Sequence, residues 1–216
     1  MKPTLRLKSG VGVVYDGNSL MHAIHPYITS TAPVSGSGCT TAAVPIAGQT
    51  WTAMRTASTD VVSALAAAGD FSILLLWEHT NQLNSGTDVV GCRQEMLSYV
   101  ATVRAARPDV RIVVVESLPR EGVNATYNTV ESFNSKLQQM DAWCFESRKK
   151  YDWDFVSVRV PGSPFSLGGF TTADFDGAAA YWATNEAVGV RTHLNDAGYQ
   201  IVAREIRKAL YRVRAR

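Results

Sequence analysis

The chain has little cysteine, and what it has is badly placed for stapling. Cys39, Cys92 and Cys144 are odd in number, far apart and without a Cys-x-x-Cys pair. That argues against a disulfide framework and against a zinc site. Charge of one sign is also missing: 21 basic residues meet 19 acidic ones, for a net charge of +2. Such a balance does not by itself imply nucleic acid or an acidic membrane surface as a partner. No apolar stretch is long enough to span a bilayer. The opening Met-Lys-Pro-Thr-Leu-Arg-Leu-Lys is charged, and the next apolar run lasts only from Val11 to Tyr15, so no signal peptide is expected. Internal repeats are absent, and low complexity is confined to Ser35-Gly36-Ser37-Gly38.

What remains is ordinary soluble-domain material, 46% apolar and 19% charged. A chain of 216 residues is expected to form one domain, residues 1–216. At that length about 70% of the extended surface is buried, so the core needs no staples.

Strand and helix patterns alternate. Val11 to Tyr15 reads as a strand, followed by a helical stretch from Leu20 to His25. Pro26 to Pro45 is rich in Gly, Ser, Thr and Pro and reads as loop. Trp51 to Ala68 carries Met54, Val61, Val62 and Leu65 at helical spacing and stops at Gly69. Phe71 to Trp77 is near-continuously apolar, the pattern of a strand buried on both faces. A helix is expected from about Val89 to Arg107, a strand over Arg111–Glu116, a helix from about Val130 to Tyr151 and a strand over Phe155–Val158. A long loop from Pro161 to Thr192 leads into a last helix, Asn195 to about Arg212. Cys92 and Cys144 fall in helical stretches as small core residues. The alternation predicts a parallel sheet with helices on both faces.

In such sheets, groups that act on ligands collect at the carboxyl ends of the strands. Four short segments lie at such ends: Gly17-Asn18-Ser19-Leu20; Ile46-Ala47-Gly48-Gln49-Thr50; Trp77-Glu78-His79-Thr80-Asn81-Gln82-Leu83; and Thr192-His193-Leu194-Asn195-Asp196-Ala197-Gly198-Tyr199. Each key residue has an ordinary reading beside a chemical one. Ser19 fits a helix cap as well as a nucleophile whose own amide sits at a helix N-terminus. Gly48 and Asn81 are each common turn residues, and His193 fits a helix start.

Serine, glycine, asparagine and histidine in this order resemble the four blocks of the SGNH (GDSL-type) hydrolases. The closer resemblance is to the branch with Gly-Asn-Ser-Leu in place of Gly-Asp-Ser-Leu and a Trp-Glu-x-Thr-Asn third block. It covers essentially the whole chain. It implies an α/β, three-layer, flavodoxin-like fold with a five-stranded parallel sheet in the order 2-1-3-4-5. It also implies ester hydrolysis through an acyl-enzyme on Ser19, with His193 as general base and the Ser19 amide, the Gly48 amide and the Asn81 side chain as oxyanion hole. Neither metal nor cofactor is required. The substrate class implied is a small ester or an acylated carbohydrate, short acyl groups foremost. Two other readings stand beside this one: a carbohydrate-binding or structural module on the same fold, and an acyltransferase.

Three departures from the pattern matter. The family usually carries an aspartate three residues before the histidine, where this chain has Val190. Either a Ser–His dyad operates, or an acid arrives from elsewhere, the candidates being Asp174, Asp176, Glu186 and Glu78. In the third block, His79 replaces a usual glycine and Gln82 a usual aspartate; His79 reads as a loop histidine or a substrate contact. His22 and His25 stand i, i+3 without further metal ligands in view. Phe165, Phe170, Phe175, Tyr181 and Trp182 in the long loop offer an acyl pocket, a sugar-stacking platform or plain packing. The C-terminal arginines (Arg204, Arg207, Arg212, Arg214, Arg216) read as a solvated helix face.

Overall fold

The computed structural model describes residues 11–29, 40–69, 71–166 and 172–213. Several expectations lie outside the described residues: the opening Met1–Lys8 segment, Cys39, the Ser35–Gly38 stretch, Phe170, Arg214 and Arg216. So does the side chain of Asp174.

Among the described residues five strands form one all-parallel sheet: β1 (Val11–Gly17), β2 (Thr40–Ala43), β3 (Phe71–Trp77), β4 (Arg111–Val115) and β5 (Trp153–Val156), in the order β2-β1-β3-β4-β5. The expected fold class and strand order are both borne out. Alternation along the strands sends side chains to two separate cores. Val13, Tyr15, Ile73, Leu75 and Trp77 pack with α1 (Ser19–Thr29) and the last helix, α8 (Asp196–Val213). Val14, Leu74, Leu76, Ile112 and Val114 pack on the other face, against α2 (Trp51–Thr56), α3 (Ser58–Ala67), α5 (Val89–Ala106) and α6 (Val130–Ser147). A short α4 (Thr80–Asn84) follows β3, and α7 (Thr172–Gly177) precedes a 3₁₀ turn, Ala179–Tyr181. Cys92 and Cys144 are buried in the second core as expected.

The differences from the sequence reading have local causes. The first helix runs through Pro26 to Thr29, because Leu20, Met21, Ile24 and Ile28 form one fully buried stripe that continues past the proline. Burial of that stripe outweighs the helix-breaking tendency of the ring. Within the stretch read as loop, Thr40–Ala43 is an edge strand, recruited by β1 in the register Gly12↔Thr40 to Tyr15↔Ala43. The helix read from Trp51 to Ala68 divides at Ala57, whose ψ of 15° leaves helical geometry. Helix α6 stops at Ser147. Asp152 then takes a left-handed φ of 50°, and the chain enters β5 at Trp153, two residues before the expected start. Finally, the Pro161–Thr192 stretch holds α7 and the 3₁₀ turn, and three of its aromatics pack inward. Phe165, Phe175 and Trp182 are buried in the first core; Trp182 meets Phe165 edge-on and Phe175 tilted, and Phe165 also meets Tyr181. Packing, and not a stacking platform, is what Phe165, Phe175 and Trp182 do.

Candidate active site

The first strand ends in a turn built for close approach. Gly17 has φ of +153°, and a Cβ there would stand 2.4 Å from the Trp77 carbonyl oxygen, so only glycine fits. Asn18 donates its backbone N–H to that carbonyl at 3.2 Å, and Ser19 then opens α1. The Ser19 Oγ lies 2.9 Å from Nε2 of His193. Both residues are partly exposed, so the pair meets solvent.

His193 stands just before α8, at the foot of a loop that folds back on itself. Trp182 and Leu194 form an antiparallel bridge, the Ala183 amide donates to the His193 carbonyl at 3.0 Å, and the Asn195 amide donates to the Tyr181 carbonyl at 3.0 Å. This closes residues 183–192 into a compact excursion that returns Glu186 to the histidine. Glu186 Oε1 lies 2.6 Å from His193 Nδ1, and its Oε2 accepts from the backbone amides of Thr192 at 2.5 Å and His193 at 2.9 Å. Burial works to raise the Glu186 carboxyl, but those two amides and the imidazole outweigh it and hold it below the usual carboxylate range. An ionised carboxylate only accepts, so Nδ1 carries the proton and Nε2 is left to accept from the serine hydroxyl.

Of the acids considered from sequence, Glu186 is therefore the one at the imidazole. Asp176 pairs instead with Arg191 at 2.5 Å. Glu78 is buried beneath the Ser19 turn, where its Oε2 accepts from Asn18 Nδ2 at 2.7 Å. Val190 is 52% exposed and points to no partner in the triad.

The second and third segments are tied to the same turn. Gln49 donates its side-chain amide to Asp16 Oδ1 at 2.9 Å and to the Gly17 carbonyl at 3.0 Å, which pins the Gly48–Gln49 loop two residues before Ser19. Asn81, the second residue of α4, donates one side-chain N–H to the Gln49 carbonyl at 3.1 Å. Its amide has a second N–H to offer. Gly48 has φ of +80° and open space where a Cβ would stand, so its backbone is accessible.

Two residues take places that the sequence reading did not assign. His79 is a core residue, fully buried, with Nδ1 accepting from Trp51 Nε1 at 3.2 Å and Nε2 lying 3.7 Å from Cys144 Sγ. Burial pushes its pKa down to about 3, so it stays neutral. It does lie in the short loop between β3 and α4, as a loop histidine, but that loop turns its ring into the core, away from any substrate. Asp16, passed over in sequence, holds Gln49, the Gly17 amide and the Tyr99 hydroxyl at once. Its signal was faint: a charged residue closing an otherwise apolar strand. Among the described residues no cluster of His, Cys, Asp and Glu could hold a metal ion, the His22/His25 pair included.

Burial pushes the Asp16 carboxyl up to about 7, against the hydrogen bonds from Tyr99, Gly17 and Gln49. A carboxyl raised on folding contributes stability that is present below its unfolded pKa and is lost as pH rises through about 7. Asp16→Asn keeps the acceptor for Gly17 and Gln49 and presents an amide to the Tyr99 hydroxyl, which rotates to accept. The variant is expected to gain on the wild type in melting temperature between pH 4.5 and 8. Parallel melting curves across that range would remove Asp16 from the pH dependence.

A five-stranded all-parallel sheet with helices on both faces, and a serine and a histidine paired at its carboxyl edge, defines the class: a hydrolase on a three-layer, flavodoxin-like fold. The sequence pattern of the GDSL-like lipase/acylhydrolase family matches residues 23–201, and the chain belongs to that family. It is an SGNH-type hydrolase. No curated protein matches it. Among solved structures it is similar to a GDSL-like lipase from Bacteroides thetaiotaomicron VPI-5482, with TM-score 0.66 and 17% identity over 97% of this chain and 92% of that one. It is also similar to a family 3 carbohydrate esterase from Clostridium thermocellum, with TM-score 0.58 and 13% identity over 94% and 97% of the two chains. An acetyl xylan esterase, AlAXEase, matches with TM-score 0.59 and 13% identity over 92% of this chain and 99% of the other. At these identities the likeness is one of fold.

Among the described residues, no helix is long and apolar enough to cross a membrane.

Proposed function

We propose that the chain is a single catalytic domain that hydrolyses short-acyl carboxylic esters, O-acetyl groups on carbohydrate among them, through an acyl-enzyme on Ser19. The observation that carries this reading is the relay Ser19 Oγ–His193 Nε2 at 2.9 Å and His193 Nδ1–Glu186 Oε1 at 2.6 Å. His193 takes the proton as Ser19 attacks the ester carbonyl. The Ser19 amide, the Gly48 amide and the free N–H of the Asn81 side chain hold the oxyanion. Glu186 keeps the imidazole in the accepting tautomer and stabilises its charged form. His193 then protonates the leaving alcohol and activates the water that releases the acid. The carbohydrate preference is supported by two fold neighbours, a carbohydrate esterase and an acetyl xylan esterase. Glu186 supplies at the imidazole the acid that Val190 cannot, which speaks against a pure binding module.

Release of acetate from acetylated xylan, set beside p-nitrophenyl acetate, butyrate and octanoate, tests the substrate class. Acetate should turn over fastest; a preference for octanoate would overturn the short-acyl reading. An added alcohol acceptor separates hydrolysis from transfer, and ester product in its presence would make the protein an acyltransferase. Asn81→Ala removes one oxyanion donor and is expected to lower kcat by about 10²–10³ with KM little changed. Unchanged kcat would take Asn81 out of the oxyanion hole.

A further inference from the structure

Beneath the proposed nucleophile lies a carboxylate that the proposed reaction does not use. Glu78 follows directly on Trp77, the last residue of β3, and is 1% exposed. Its Oε1 accepts from the Gln82 amide at 2.8 Å. Its Oε2 accepts from Asn18 Nδ2 at 2.7 Å and, at 3.4 Å, from the backbone amide of Asn81. Asn18 is engaged at its other end too, where Oδ1 accepts from the Leu20 amide at 2.9 Å. One buried carboxylate thus bonds the residue before Ser19 and the first turn of the helix that carries Asn81.

We propose that Glu78 is a positioning residue that sets the Ser19 turn and the Asn81 turn in fixed relation, and that it is the reason position 18 carries an asparagine. The proposal rests on the reading of Ser19 as nucleophile and Asn81 as oxyanion donor.

The chemistry of position 18 supports it. The Oδ1 of Asn18 is committed to the Leu20 amide, so only a donor can face Glu78 from the same side chain. An aspartate there would set two carboxyl groups at hydrogen-bond distance, a pair that holds only while one of them binds a proton, whereas the asparagine amide donates to Glu78 without one. The resemblance noted from sequence has aspartate as the commoner residue at this position, and the carboxylate at 78 accounts for its exchange here. Both ends of the brace sit on stiff elements, the end of β3 and the start of α1, which is what a preorganised site needs. Displacing donor and nucleophile by about 1 Å relative to each other costs on the order of 10²-fold in rate.

The test uses Glu78→Gln, Asn18→Asp and the double variant in the full chain, with p-nitrophenyl acetate turnover and the rate of Ser19 labelling by a fluorophosphonate. In Glu78→Gln, whichever way the new amide is turned, one donor faces another donor, either at Asn18 or at Gln82. That variant should lose about 10²-fold in kcat with KM within a few-fold. Asn18→Asp should lose comparably. The double variant restores a donor–acceptor pair in the reverse sense, from the introduced amide to the introduced carboxylate, and should recover most of kcat and of the labelling rate. A double variant that folds yet turns over no faster than the singles overturns the proposal, as does wild-type kcat in a folded Glu78→Gln. If Glu78→Gln fails to fold, the comparison of Asn18→Asp with the double variant decides in the same way. Wild-type turnover in Ser19→Ala would instead sink the serine reading itself, a result distinct from either.

Discussion

Ser19→Ala is expected to abolish ester turnover, lowering kcat by about 10⁶-fold while leaving the fold intact. The size follows from what the hydroxyl does. With Oγ gone, no covalent intermediate forms, and the His193–Glu186 pair has no proton to move. What remains is whatever the oxyanion donors contribute to direct attack by water, about 10³–10⁴ over the uncatalysed reaction. The substitution sits at the first position of α1, is partly exposed and removes a single oxygen, so melting temperature should hardly move. Hydrolysis of p-nitrophenyl acetate by purified wild type and variant measures it directly. Equal rates in the two proteins would end the acyl-enzyme mechanism, and a fluorophosphonate that labels the wild type but not the variant would place the chemistry on this serine.

Glu186→Gln is expected to lower kcat by about 10⁴-fold, and the reason is specific to this loop. The two backbone amides of Thr192 and His193 both donate to Oε2. In the glutamine variant they hold the amide oxygen on their own side, which turns the NH₂ group toward Nδ1. The imidazole then presents Nδ1 as acceptor and carries its proton on Nε2, the tautomer that cannot take a proton from Ser19. Geometry is kept while the direction of proton transfer is lost, so KM should change little. Asp176→Asn makes the control, because that acid pairs with Arg191 and does not touch the imidazole. Its kcat should match the wild type. If Glu186→Gln retains kcat within a few-fold, the site works as a Ser–His dyad and Glu186 merely ties the loop.

Much of this architecture was legible in the residues. The apolar run from Phe71 to Trp77 announces a strand buried on both faces, and it pairs with β1 and β4 as such. The glycine–asparagine–serine turn and the histidine before the last helix stand out because strand ends and helix starts leave local signatures. The strand at Thr40–Ala43 was not legible, since its four small residues carry no apolar run and owe their conformation to pairing with β1. The burial of His79 was hidden for a related reason: it stands in a loop as its polar neighbours suggest, and only the tertiary structure turns its ring inward, against Trp51 and Cys144.

The same division runs through the site. Residue types and periodicity suffice for four of the five strands and the longer helices, because these depend on local spacing and on which faces are apolar; the pairing of Ser19 with His193 follows from the resemblance in block order. The acid that completes the relay depends on how residues 183–192 fold back through the Trp182–Leu194 bridge, and the brace under Ser19 depends on β1 and β3 lying side by side. Both are contacts between segments whose separation along the chain carries no periodic signal. The sequence by itself could name Glu186 and Glu78 only as two acids among four; through-space proximity alone gives one the imidazole and the other the turn beneath the serine.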